Sequence, residues 1–144
     1  TISGVADSCL LALLTFDEGE NVHACTFFLE NGTIDVEYDI VDGSQTIGGT
    51  VNNDAFQAFY SKIEVLNDKA NEVQDKMRTT AAAGEDYSSF VDEMGVLQDN
   101  YKDIVTKSIV ENTGNVFGFQ QLLYFVTAQL DGAQLRAVLG ASLV

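Results

Sequence analysis

Proline is absent from this chain of 144 residues, where average composition would supply about seven. Its absence fits long uninterrupted helices. Basic residues are scarce too: seven Lys+Arg against 22 Asp+Glu give a net charge of −15 and a pI near 4.1. A surface that acidic repels nucleic acid and anionic lipid headgroups, and both drop out as partners. The longest apolar runs, residues 10–14 and 122–126, fall far short of a membrane span. No initiator Met and no basic-then-apolar leader opens the chain. Thr1-Ile2-Ser3-Gly4-Val5 reads as a strand entered part-way in a trimmed or mature chain, with any export signal lying upstream.

What is present reads as one globular domain spanning 1–144. The hydrophobic share is 46% and the mean hydropathy is +0.05. A chain of this length buries roughly 70% of its unfolded surface, so a core forms without metal or disulfide. Composition changes near Asn52. Residues 1–51 are rich in β-branched and aromatic residues between Gly, Asn and Asp; beyond them Ala, Gln, Lys, Glu and Leu recur at helical spacing.

In the first part, residues 22–30 and 33–39 flank Asn31-Gly32, a strong hairpin signal. Ile34, Val36, Tyr38 and Ile40 alternate with Thr33, Asp35, Glu37 and Asp39, so one strand face is expected buried and the other wet. Asp17-Glu18-Gly19-Glu20-Asn21 separates residues 10–16 from 22–30 and suits another antiparallel pair. A last short strand is expected over 46–50.

The second part is more regular. Phe56, Phe59, Ile63, Leu66, Ala70, Val73 and Met77 follow a 3-4 heptad spacing, as do Tyr87, Phe90, Met94, Leu97, Tyr101, Ile104 and Ser108. Asn53 is placed to cap the first helix and Gly84 to end one. The connection is too short for parallel helices, so residues 53–112 are expected to form an antiparallel hairpin with arms of ~40 Å. Lys62, Lys69 and Lys76 fall at g positions, and so do Asp86 and Glu93. A fold about residues 82–83 sets Lys76 between Asp86 and Glu93, Lys69 near Glu93, and Leu66 opposite residue 99. Two shorter helices are expected over 116–143. Phe119, Leu122, Leu123, Val126 and Leu130 lie largely on one side of the first, and a capping box at 131–134 opens the second, with Leu135, Val138 and Leu139 inward. The expected class is α+β: a small antiparallel sheet or sandwich, the long hairpin, then these two helices.

No set of residues assembles a catalytic site. A histidine metal site or a Ser–His pair needs a base with partners, and His23, the only histidine, sits on an alternating strand. Cys9 and Cys25 form no Cys-x-x-Cys, and a hairpin turning at Gly19 offsets them by four residues, ~13 Å along the strands. A structural disulfide is the alternative in an exported protein, but it needs Cα atoms within about 7 Å, so free buried thiols are the expected state. Asp35, Glu37 and Asp39 line one strand face without the loop of a calcium site. Gly48-Gly49 is too isolated for a phosphate loop. Asn31-Gly32-Thr33 matches a glycosylation sequon, but the Asn-Gly turn already accounts for it. The chain therefore reads as no enzyme, with no catalytic, cofactor or metal residue.

Several stretches, taken in order, carry a family resemblance. They are Thr1-Ile2-Ser3-Gly4, Phe28-Leu29-Glu30-Asn31-Gly32-Thr33-Ile34, and Gly49-Thr50-Val51-Asn52-Asn53 running into a Phe-rich helix. Ile109-Val110-Glu111-Asn112 with Asn115 and Gly118 follows, and then Leu130-Asp131 through Leu135. The chain resembles the domain of unknown function that precedes the thioredoxin-like domain in envelope thiol-disulfide interchange proteins of Bacteroidetes-type bacteria. It departs from the family in a shorter front sheet, in Asn115-Val116 where Asn-Pro is frequent, and in a last helix that opens without Pro. The resemblance implies a cell-envelope location, periplasmic or as a lipoprotein anchored through an upstream cysteine. It also implies that redox chemistry belongs to a following domain. The expected role is a non-catalytic accessory domain that spaces, orients or dimerises a thioredoxin-like partner domain. The alternative is a stand-alone envelope module that binds a ligand or protein.

Overall fold

The computed structural model describes residues 2–19 and 21–129. Its class is α+β: two small antiparallel sheets of two strands each, followed by three helices, the first of them long. Strand β1, Leu10–Glu18, pairs with β2, Asn21–Leu29. Gly19, at φ +63°, supplies the left-handed backbone of the turn between them. Ala12, Leu14 and Phe16 share one face with Phe27, Cys25 and His23 opposite, and these side chains are buried or half-buried. Leu11, Leu13 and Thr15 lie on the other face, opposite Phe28, Thr26 and Ala24.

The second hairpin joins β3, Asp35–Tyr38, to β4, Gln45–Gly48. Tyr38 lays this sheet on the first: its ring meets Phe16 at 5.1 Å and His23 at 5.6 Å, both edge-on. The expected pairing across Asn31-Gly32 is not formed, since β2 and β3 lie in different sheets. A type I′ turn needs φ > 0 at both central residues. Gly32 has it, at +140°, but among the described residues only glycines do, so Asn31 does not. The β3–β4 connection is closed instead by Asp39, whose carboxylate accepts from the Val41 N–H at 2.7 Å, and by Gly43 at φ +77°. Exposure of Val36 and Ile40 also shows that the apolar face expected for β3 is only partly covered.

Helix α1 spans Val51–Ala82, ~48 Å at 1.5 Å per residue, and α2 spans Ser88–Glu111. Gly84 ends α1 as expected. Its N–H donates to the Ala81 carbonyl and the Glu85 N–H to that of Thr80, the two bonds of a Schellman cap. The hairpin is antiparallel, because residues 61–69 of α1 border a groove with residues 100–107 of α2, while residues 66–70 border another with 91–101. All seven heptad residues of the first arm are buried or half-buried; in the second arm Tyr87 and Tyr101 are exposed.

The connecting turn covers residues 83–87, further along than the expected 82–83. That displacement undoes the charge pairing read from the g positions. The ion pairs among the described residues are Arg78–Asp75 and Lys102–Asp99, each within one helix, and Lys69 and Lys76 form none. Asp86 instead accepts from the Ser88 N–H at the start of α2. Leu66 now lies among Leu97, Tyr101 and Ile104, bordering both grooves. Helix α3, Val116–Gln129, follows a tight connection. The last helix expected from the capping box at 131–134 lies outside the described residues.

Candidate functional site

Residues from distant parts of the chain meet in one place. They join the end of β2, the first turn of α1 and the α2–α3 connection. Asn53 lies three residues inside α1, not at its cap as expected. It is fully buried, and its amide pairs with both backbone groups of one residue: Oδ1 accepts from the Phe28 N–H at 2.7 Å, and Nδ2 donates to the Phe28 carbonyl at 2.8 Å. A second Nδ2 bond reaches the Thr50 hydroxyl at 2.7 Å. A side-chain amide thus stands where a neighbouring strand would stand. Gln57, one turn on, does part of the same for the other sheet, accepting from the Ile47 N–H at 2.8 Å. Helix α1 therefore closes the outer edge of β2 at Phe28 and that of β4 at Ile47.

The helix start is held by Glu30 rather than by a cap of its own, for the Thr50 side chain makes no capping bond. Glu30 Oε1 accepts from the Asn52 N–H at 3.0 Å and Oε2 from the Asn52 amide at 2.7 Å. A carboxylate is favoured there because the first N–H groups of a helix have no internal partner and the dipole is positive. Burial pushes the Glu30 carboxyl up. Hydrogen bonds from Thr50, from the Asn52 side chain and from the backbone of Asn52 and Asn53 outweigh it, holding the group below the usual glutamate range.

Asn52 then bridges onward, its Oδ1 accepting from the Phe117 N–H in the first turn of α3 at 2.8 Å. Asn115 caps that helix, accepting from the Gly118 N–H at 2.9 Å, and Asn112 closes α2 by donating to the Ser108 carbonyl at 2.8 Å. Gly118 is required by close approach: a Cβ there would lie 1.9 Å from the Asn112 carbonyl oxygen. Beneath this polar layer Phe28, Phe56, Phe59 and Phe117 stack at centroid distances of 5.8–6.0 Å, mostly edge-to-face. Asn31 acts in the same way outside the cluster, its amide pairing with the N–H and carbonyl of Ala6 at 3.1 and 2.9 Å.

The other residues weighed from the sequence do not gather there into a reactive group. His23 is half-buried and stacked on Phe16 at 5.4 Å. Cys9 and Cys25 are free thiols, Cys25 buried and Cys9 half-buried. The register places Cys25 opposite Leu14 and, extended outward, Cys9 beside Glu30, one residue from the expected alignment. Burial pushes both thiols up, and the Glu30 charge adds to the rise at Cys9, so neither is an activated thiolate. Asp35, Glu37 and Asp39 are all exposed, and among the described residues no group of three His, Cys, Asp or Glu could hold a metal. The Gly49 N–H is already taken by the Asp54 carboxylate at 2.9 Å, which leaves no free phosphate cradle at Gly48-Gly49. No helix among the described residues is long and apolar enough to cross a membrane.

Sequence reasoning missed Asn52, Asn53 and Gln57 as edge seals and helix bridges. Two asparagines inside a first turn, where helix propensity is poor, were the signal. Comparison with protein-family models, curated proteins and solved structures finds no match for this chain.

Proposed function

We propose that this chain is a non-catalytic accessory domain that spaces or orients a thioredoxin-like redox domain in a cell-envelope protein. The observation that supports this reading is how the resembling residues are used. Glu30, Asn52, Asn53, Asn112 and Asn115 all direct their side chains to backbone partners, so they build a joint and leave no group poised for chemistry. From that joint the α1–α2 hairpin projects, and a braced arm suits spacing better than turnover. The redox cysteines would belong to the partner domain, because the two thiols here are shielded and unactivated.

The reading frame of the gene tests this directly. A Cys-x-x-Cys within roughly 200 residues downstream, about one domain's length, is the expected result. A stop codon directly after Val144 would favour a stand-alone binding module. In solution, the purified chain should not reduce insulin with dithiothreitol present. Turnover above buffer that vanishes in Cys25→Ser would defeat the proposal.

A further inference from the structure

The two small sheets have four outer edges, and three are closed or blunted in part, β2 at its Phe28 end only. Asn53 covers the β2 edge at Phe28, and Gln57 covers the β4 edge at Ile47. The β3 edge is four residues long and carries two acidic side chains, both of which discourage pairing. The β1 edge has no such amide seal among the described residues and is more than twice as long as β3, and its two acidic residues, Asp17 and Glu18, stand together at its turn end. It runs nine residues, contains no Pro or Lys, and has no strand partner but β2 among the described residues.

Geometry fixes which groups this edge presents. Because the Phe28 N–H and carbonyl point outward to Asn53, Phe28 and its partner Leu11 form a non-hydrogen-bonded pair. Alternation then sets the N–H and C=O of Leu11, Leu13, Thr15 and Asp17 outward along the free edge. The side chains of the same residues lie on the sheet face turned away from Tyr38. There Leu11 is 49%, Leu13 63% and Val22 69% exposed. An open ladder and the exposed Leu11 and Leu13 side chains thus coincide on one strand, beside Phe28, which Phe56 and Phe117 cover.

Charge decides what fits there. Residues 1–61 hold ten Asp and Glu and no Lys or Arg, the first cation being Lys62. A second copy would bring two such acidic halves together, which opposes self-pairing. We propose that the outer edge of β1 is a docking strand for an extended segment of a partner protein that alternates β-branched and basic residues. The segment adds a strand beside Leu11–Asp17 positions, its apolar side chains continuing the Leu11–Leu13 face and its cations answering the acidic surround. This goes beyond the accessory role and does not depend on whether a redox domain follows in the gene.

The test uses the full 144-residue chain, isotope-labelled, and a peptide about as long as β1 that alternates Val and Lys. Companion peptides replace Lys by Glu, or interrupt the strand with Pro. The Val–Lys peptide should slow amide exchange at Leu11, Leu13, Thr15 and Asp17 by roughly tenfold or more, and both companions should leave it unchanged. Leu13→Lys should weaken binding about tenfold through like charge at the edge. Circular dichroism confirms that the variant is folded, and Thr15→Lys serves the same purpose should Leu13→Lys unfold. Unchanged exchange with the Val–Lys peptide would overturn the proposal, as would equal protection by the Pro-containing peptide or undiminished binding to a folded edge variant. Protection of these four amides without peptide, whether or not it grows with concentration, would assign the edge to the chain itself and overturn it as well.

Discussion

The joint and the projecting arms of this molecule are built on different physics. Around Phe28 the chain buries aromatic rings and then closes them over with side-chain amides: Phe28 is 1%, Asn53 0% and Phe117 4% exposed. Along the hairpin, residues 62–104 include one buried residue, Val73. The heptad spacing is equally regular throughout, so spacing alone does not produce a closed core. Two helices cover each other on a single side, and their seam stays half-open unless a third element packs against it. At the joint, strand, helix and helix converge, and the residues there are fixed from several directions.

That contrast predicts an order of sensitivity. Phe28→Ala should be the most damaging single change, about 3–5 kcal/mol in urea denaturation, from lost burial plus a cavity beside the Phe56 and Phe117 rings. Asn53→Ala should come next, at roughly 2–4 kcal/mol, since it leaves a buried N–H and carbonyl of Phe28 without partners. Asn53→Asp should not rescue it, because a carboxylate cannot donate to that carbonyl. Leu66→Ala and Leu97→Ala, on the half-open seam, should each cost about 1–2 kcal/mol, below what full burial would give. Their double mutant should depart from additivity by ~0.5 kcal/mol or more if they share the seam. Should Leu66→Ala exceed Phe28→Ala, the comparison between joint and arm is inverted.

Smaller effects refine the same picture. Glu30 has its carboxyl held below the usual glutamate range in the folded chain, mainly by bonds from Thr50, Asn52 and Asn53 that outweigh its burial. The stability this contributes is present above the unfolded value and is lost as pH falls through the lower folded value. Melting temperature should therefore drop on the acid side, and Glu30→Gln should flatten that part of the profile relative to the parent chain. Lys76→Ala should change stability by less than ~1 kcal/mol, because the expected pairing with Asp86 and Glu93 does not form.

Periodic features were legible in the sequence. The Gly19 turn, the heptad seam and the Gly84 cap are local patterns whose chemistry is contained within a few residues, and the structure has all three. Asn31-Gly32 misled because the side chain of Asn31 is drawn to Ala6, 25 residues away, which no local signal announces. The turn that does form carries a signal of its own, Asp42-Gly43 between residues 35–38 and 45–48, weaker than Asn-Gly. The joint was hidden for the same reason. Asn53 resembles a helix cap locally, and only the approach of Phe28 makes it a substitute strand. The interhelical charge pairs failed through a smaller cause, a turn placed two to three residues further along than the spacing suggested.

Native-state amide exchange at Phe28 tests the joint most directly. In the parent chain the Phe28 N–H, bonded to Asn53, should be among the slowest to exchange, slower than amides of the half-open hairpin around Leu66 and Leu97. In Asn53→Ala the same amide should exchange far faster, while the hairpin amides change less. A Phe28 amide that exchanges as fast as those of the hairpin, or one indifferent to the loss of Asn53, would contradict the account of a joint built from side-chain amides.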